Sequence, residues 1–181
     1  MIVMKFGGTS VANFEAITRT IFIIAGKLDK KPVVVVSALS KITDLLYAIS
    51  DAALARDVAK TNELLAQLRK RHVDLTEELL AQSVLKDEAV AKVGEICDRL
   101  DKIALAVCSL GELSDRNKAV IISTGEYLSS TIIAYAMNSK GIKTKWVDAR
   151  TMMITSDSYL KGEPDMDAIS AKVPGVVAEA Y

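Results

Sequence analysis

Lys5-Phe6-Gly7-Gly8-Thr9-Ser10 brings together the groups that hold an anion: an ammonium, two positions without a side chain, and two hydroxyls. Adjacent glycines remove the Cβ bulk that keeps backbone N–H groups away from a tetrahedral oxyanion. A helix starting just beyond them offers its positive end to the same guest. A phosphate is the natural ligand. The pattern is neither the Walker sequence nor GxGxxG, so a plain turn after a strand fits it as well, and Lys5 alone also reads as a solvated strand lysine. Other polar groupings follow at Ser37-Ala-Leu-Ser-Lys-Ile-Thr43-Asp44 and Ser123-Thr-Gly-Glu126. Ser37 and Thr43 read equally as turn and cap residues around Asp44. Ser123 and Glu126 have the S-x-x-E spacing of a capping box, in which Glu126 would merely close a helix start.

The elements that must position these residues are legible from periodicity. Residues 2–6 form a short apolar strand ending at Gly7-Gly8, and Ile17, Ile21, Ile24 and Leu28 recur at helical spacing after Asn13, a candidate N-cap. Val33 to Ser37 reads as a second strand, continuously apolar and β-branched, as in a parallel sheet covered on both faces. Strand, helix and strand make a βαβ unit, and ligands of open α/β sheets gather at the carboxyl edge where the glycines lie. Residues 45–110 contain no proline and only one glycine, Gly94. Their leucine-rich stripes predict a helical hairpin with a break near 83–87, projecting from the α/β core. A further helix runs to about Lys140 with Gly141 as its stop, Ile142 to Val147 alternates like a strand, and a last helix begins near Pro164.

Composition excludes several function classes. The 181 residues carry 23 basic and 23 acidic side chains, so no basic excess points to nucleic acid or to an anionic membrane. No apolar run approaches the roughly 18 residues of a membrane span. The N-terminus lacks the features of a secretory signal, and a cytoplasmic location is the expectation. Cys97, Cys108 and His72 are the only residues of their types, too few for a disulfide framework or a structural zinc site. His72 and the cysteines lie on or near apolar stripes and read as core residues. No residue is assigned to a metal, and catalysis, where present, proceeds without histidine.

Taken in order, Lys5-Phe-Gly-Gly-Thr-Ser-Val11, Val36-Ser-Ala-Leu-Ser-Lys-Ile-Thr-Asp44, Ser123-Thr-Gly-Glu126 and Trp146-Val-Asp-Ala-Arg150 resemble aspartokinases, of the amino acid kinase fold. The resemblance implies a three-layer α/β architecture, a mainly parallel sheet with helices on both faces and a helical insertion over about 45–112. It implies phosphorylation of the side-chain carboxylate of L-aspartate by ATP with Mg2+, giving 4-phospho-L-aspartate for lysine, threonine and methionine synthesis. By the same resemblance, Lys5 bridges phosphoryl oxygens as the catalytic cation, Gly7 and Gly8 bind the γ-phosphate through their backbone, and Ser10 assists. Ser37 and Ala38 line the facing loop near the acceptor, while Thr43 and Glu126 hold aspartate.

The resemblance ends before the family's kinase domain does. Aspartokinases continue with the strands that house adenine, a Ser-Asp stretch for magnesium and substrate, and, in most members, ACT regulatory domains. Residues 1–181 thus read as the N-terminal portion of a catalytic domain with little or no activity of its own. An uncovered sheet edge predicts self-association. Two other readings stand beside this one: another amino acid or carbamate kinase of the same fold, and a non-catalytic binding or assembly module that retains the phosphate loop.

Overall fold

Strands β1 (Ile2–Phe6) and β2 (Pro32–Val36) pair in parallel, with Ile2 opposite Pro32 and Phe6 opposite Val36. The computed structural model describes every residue, Met1–Tyr181, and contains no other sheet. Helix α1 (Phe14–Ala25) connects the two strands. Asn13 starts it by accepting the Ala16 N–H at 3.0 Å, Gly26 closes it, and Ile17, Ile21 and Ile24 form its buried stripe. Met4, Phe6, Val34 and Val36 face the core, while Val3 is 72% and Val35 44% exposed. The expectation of a sheet covered on both faces therefore fails within this chain, because its elements leave Val3 and Val35 in contact with solvent.

Four helices follow: α2 (Ile42–Leu54), α3 (Val58–Leu79), α4 (Lys86–Leu110) and α5 (Asp115–Ser139). The foreseen break falls between α3 and α4. A second one, at Ala55–Asp57, has no glycine or proline to announce it. There Arg56 adopts φ 59°, and its guanidinium donates to the Leu110 carbonyl at 2.9 Å, capping the end of α4. Thr61 meets Cys108 and Arg69 meets Asp98, so α3 and α4 run antiparallel as expected. They do not project as a separate hairpin. Leu68, Leu75, Val93 and Leu100 belong to one continuous core with Ile17 of α1, Leu46 of α2 and Ile132 of α5.

Ser114 caps α5 by accepting the Asn117 N–H, and Gly141, at φ 76°, follows its end. Ser123 and Glu126 thus stand inside a long helix, and Ser123 donates back to the Val120 carbonyl at 3.1 Å. The capping-box reading is overturned. The strand expected at Ile142–Val147 is also absent, for want of a neighbouring strand to pair with. The segment is instead fastened by Asn138, whose side chain donates to the Thr144 carbonyl and accepts its N–H. Helix α6 (Met166–Ala180) is capped by Asp165 and buries only Ile169. No helix is long and apolar enough to cross a membrane.

Candidate phosphate and substrate site

Parallel strands end at a common edge, and here both leave it through loops rich in unpaired donors. The N–H groups of Gly7, Gly8 and Thr9 reach no acceptor in the protein, nor do those of Ala38, Leu39, Ser40 and Lys41 in the facing loop. Buried amides in folded proteins are nearly always paired, so two facing loops of open donors make this edge a candidate for binding an anion. Gly8 brings the loops together: a Cβ there would stand 2.9 Å from the Ala38 carbonyl oxygen. Any side chain at this position drives the loops apart.

Both loops are anchored from behind. The Ser10 N–H donates to the Gly7 carbonyl at 2.9 Å, and the Ser10 carbonyl accepts the Thr20 hydroxyl at 2.8 Å, tying the first loop to α1. The Ser37 N–H donates to the Phe6 carbonyl at 3.1 Å, joining the second loop to the first. Ala38 and Leu39 are buried; Lys41 holds a left-handed φ of 65°, a conformation that non-glycine residues rarely adopt. Thr43 lies in the first turn of α2, where no side chain makes a capping hydrogen bond, so its hydroxyl is not committed to the cap role.

Lys5 lies opposite Val35 and is exposed, and its ammonium joins none of the protein's ion pairs. Glu126 is likewise exposed, carried by α5. The preceding residue, Gly125, is what seats α5 against the second loop. A Cβ on it would stand 2.8 Å from the Ala38 Cβ and 3.1 Å from Ile42 Cγ2. Ala38 is thus packed between Gly8 on one side and Gly125 on the other. The structure brings Lys5, Gly7, Gly8, Ser10, Ser37, Ala38 and Thr43 to one sheet edge, with the α5 turn bearing Glu126 packed directly against it. Gly125 and Lys41 were not singled out from the sequence. For Gly125 the signal was available, since a lone glycine within a helical pattern commonly marks close packing.

The histidine and both cysteines are buried in the core. His72 is buried with Nδ1 2.8 Å from the Leu68 carbonyl, and burial, reinforced by Arg71, lowers its pKa to about 4 against the opposing effect of that hydrogen bond. Cys97 is buried and its thiol is pushed up to about 11, so it remains protonated and unreactive. Two clefts, of about 200 and 310 Å³, lie along α4 and α5 beside Tyr127. No three His, Cys, Asp or Glu side chains converge to hold a metal ion.

Residues 1–173 match the model of the amino acid kinase family. The chain is 31% identical to aspartokinase 3 of Arabidopsis thaliana, covering 96% of this chain and 31% of that protein. It is 29% identical to the lysine-sensitive aspartokinase 3 of Escherichia coli, covering 94% of this chain and 36% of that protein. It thus spans about a third of the length of these curated relatives. Its fold superposes on E. coli aspartokinase III in complex with aspartate and ADP with a TM-score of 0.83 at 25% identity, over 99% of this chain and 39% of that one. With that family model matching residues 1–173, the chain belongs to the amino acid kinase family.

Proposed function

We propose that this chain supplies the phosphate loop and the aspartate-binding elements of an aspartate kinase, which transfers the γ-phosphoryl group of ATP to the side-chain carboxylate of L-aspartate. The observation that carries this reading is the pair of facing loops with open amides, Gly7–Thr9 and Ala38–Lys41, at the edge of the parallel sheet. Phosphoryl transfer depends mainly on positioning and on neutralising charge, and amides and a cation held by a folded scaffold provide both. The acceptor carboxylate, with a free pKa of about 3.9, is ionised at neutral pH, so no general base is required. One of its oxygens attacks the γ-phosphorus while the bond to the bridging oxygen of ADP breaks. In that step Lys5 bridges the phosphoryl oxygens, and Gly7, Gly8 and Ser10 bind the γ-phosphate. Ser37 and Ala38 line the acceptor side, and Thr43 and Glu126 hold the amino acid, with the Glu126 carboxylate accepting from its ammonium.

Several finer points belong to the same proposal. Residues 1–181 form the N-terminal portion of the catalytic domain, with an insertion over about 45–112. The three-layer architecture is completed by strands outside this chain, as are the ligands for adenine and for Mg2+. The product enters lysine, threonine and methionine synthesis, and the reaction takes place in the cytoplasm. The uncovered edge of the two-stranded sheet is the surface through which the isolated chain self-associates. A strictly monomeric chain at high concentration contradicts that last point.

Isothermal titration with L-aspartate and with ATP tests the reading, together with a hydroxylamine trap for acyl phosphate. Binding of aspartate with weak or no turnover is the expected result. Binding of neither ligand favours the assembly-module reading, and turnover comparable to that of a complete kinase shows that this chain needs no further half.

A further inference from the structure

Helix α5 carries six serine and threonine hydroxyls, and all but one are spent on their own helix. Ser123, Thr124, Ser130, Thr131 and Ser139 donate to carbonyls three or four residues earlier. Ser129 differs. Fully buried, it donates to the Ser37 carbonyl at 2.8 Å, across 92 residues of sequence, and lies 3.2 Å from the Glu126 carbonyl. A hydroxyl has one proton, so the shorter contact, to Ser37, is its principal bond.

This bond completes a chain of contacts across the site. The Ser37 peptide is held at both ends, its N–H by the Phe6 carbonyl of β1 and its carbonyl by Ser129 of α5. Gly125 and Ser129 are one helical turn apart and share a face. The missing side chain of Gly125 lets α5 approach Ala38 closely enough for the short Ser129 side chain to reach. Glu126 lies between the two contacts. A helix free to slide or roll on the second loop would carry the Glu126 carboxylate with it, and misplacement on the scale of 1 Å weakens a site markedly.

We infer that Ser129 is a positioning residue: its hydroxyl, working with Gly125, locks the Glu126 turn of α5 in register with the Ser37–Ala38 loop and so sets the geometry of the amino-acid subsite. The inference rests on the proposed assignment of Glu126, Ser37 and Ala38 to that subsite. It adds a residue that touches no substrate and acts through a backbone carbonyl.

The test uses the full 181-residue chain with Ser129→Ala, and with Ser129→Cys, of similar volume, as a second variant. Ser50→Ala is the control, because Ser50 is equally buried but donates only within α2, to Leu46 at 3.0 Å. Amide hydrogen exchange, titration with L-aspartate and titration with inorganic tripolyphosphate are measured on each. S129A is expected to quicken exchange of the Ser37 N–H at least tenfold and to weaken aspartate about tenfold. Tripolyphosphate binding at the Gly7–Gly8 amides stays within twofold, S129C falls between wild type and S129A, and S50A loses thermal stability without these changes. An S129A variant that behaves as S50A does, or that loses both ligands equally, overturns the lock. Absence of aspartate binding by the wild-type chain refutes the assigned subsite, and with it the purpose given to Ser129. Equal aspartate binding by wild type and S129A refutes the lock alone.

Discussion

In the α2–α5 bundle the buried hydroxyls of Ser50, Thr61 and Thr76 each donate to a carbonyl one turn earlier, at 3.0, 2.7 and 2.6 Å. At the sheet edge the amides of Gly7–Thr9 and Ala38–Lys41 donate to nothing in the protein. These bundle hydroxyls are satisfied within their own helices, whereas the edge keeps its donors open and is tied to the bundle through Ser129. Away from the Gly125–Ser129 face of α5, binding and stability are therefore expected to be largely separable: substitutions deep in the bundle change folding more than recognition, and substitutions at the edge change recognition more than folding.

The largest expected effect is in the bundle. Leu100, 1% exposed on α4, contributes to the shared core, and Leu100→Ala leaves a cavity that lowers stability by about 3 kcal/mol. Urea denaturation measures the loss. Below the new unfolding transition, ATP affinity is expected to match that of the wild type, and a tenfold drop would show that core and edge are not separable.

An effect of similar size is expected from pH. The folded pKa of His72 is lowered to about 4 from an ordinary 6.5, first by burial and then by Arg71. Between those values the unfolded chain binds a proton that the folded chain does not, so stability falls as pH drops from 6.5 towards 4, and below 4 this group causes no further loss. The difference corresponds to about 3 kcal/mol. The buried Nε2 meets no partner, which leaves a proton there without an acceptor. Thermal unfolding across this window checks the prediction: the slope is steep in the wild type and flattened in His72→Gln. Identical slopes in the two proteins would assign the acid sensitivity to carboxylates instead.

At the edge, Gly8→Ala places a Cβ 2.9 Å from the Ala38 oxygen, which is backbone and can yield only if the loop moves. Phosphate affinity is expected to fall at least tenfold, or about 1.4 kcal/mol, with a smaller loss of thermal stability. Titration of the variant with ATP and with tripolyphosphate decides it. Unchanged affinity would mean that the loops need not touch to bind.

How far these features were legible from sequence follows the range over which each is determined. The β1–α1–β2 unit announced itself locally, through Gly7-Gly8, the Asn13 cap and the β-branched run of β2. The break at Arg56 did not, because its left-handed backbone is accompanied by a bond to Leu110, 54 residues away. Ile142–Val147 has the alternation of a strand, but a strand also needs a neighbour, which periodicity does not report. The phosphate-loop candidates were readable as a contiguous motif. Ser129 was not, since its partner Ser37 lies in a different element and nothing local distinguishes it from Ser130.

The smallest effect probes the boundary between the two regions. Lys41 ends the second loop and precedes α2 with φ 65°, a conformation that costs a residue with a Cβ roughly 1–2 kcal/mol and glycine almost nothing. Lys41→Gly relieves that strain but loosens the unfolded chain, an opposing effect of about 0.4–1 kcal/mol. The net expectation is a stabilisation of about 0.5–1 kcal/mol, read as a small rise in the thermal midpoint. The same substitution removes a cation from the rim of the anion-binding loop, so tripolyphosphate affinity should fall a fewfold, more at low than at high salt. Opposite signs for stability and affinity mean that the edge retains local strain in return for charge beside its ligand. Loss of both together would place Lys41 with the bundle, as a residue whose side chain supports the fold.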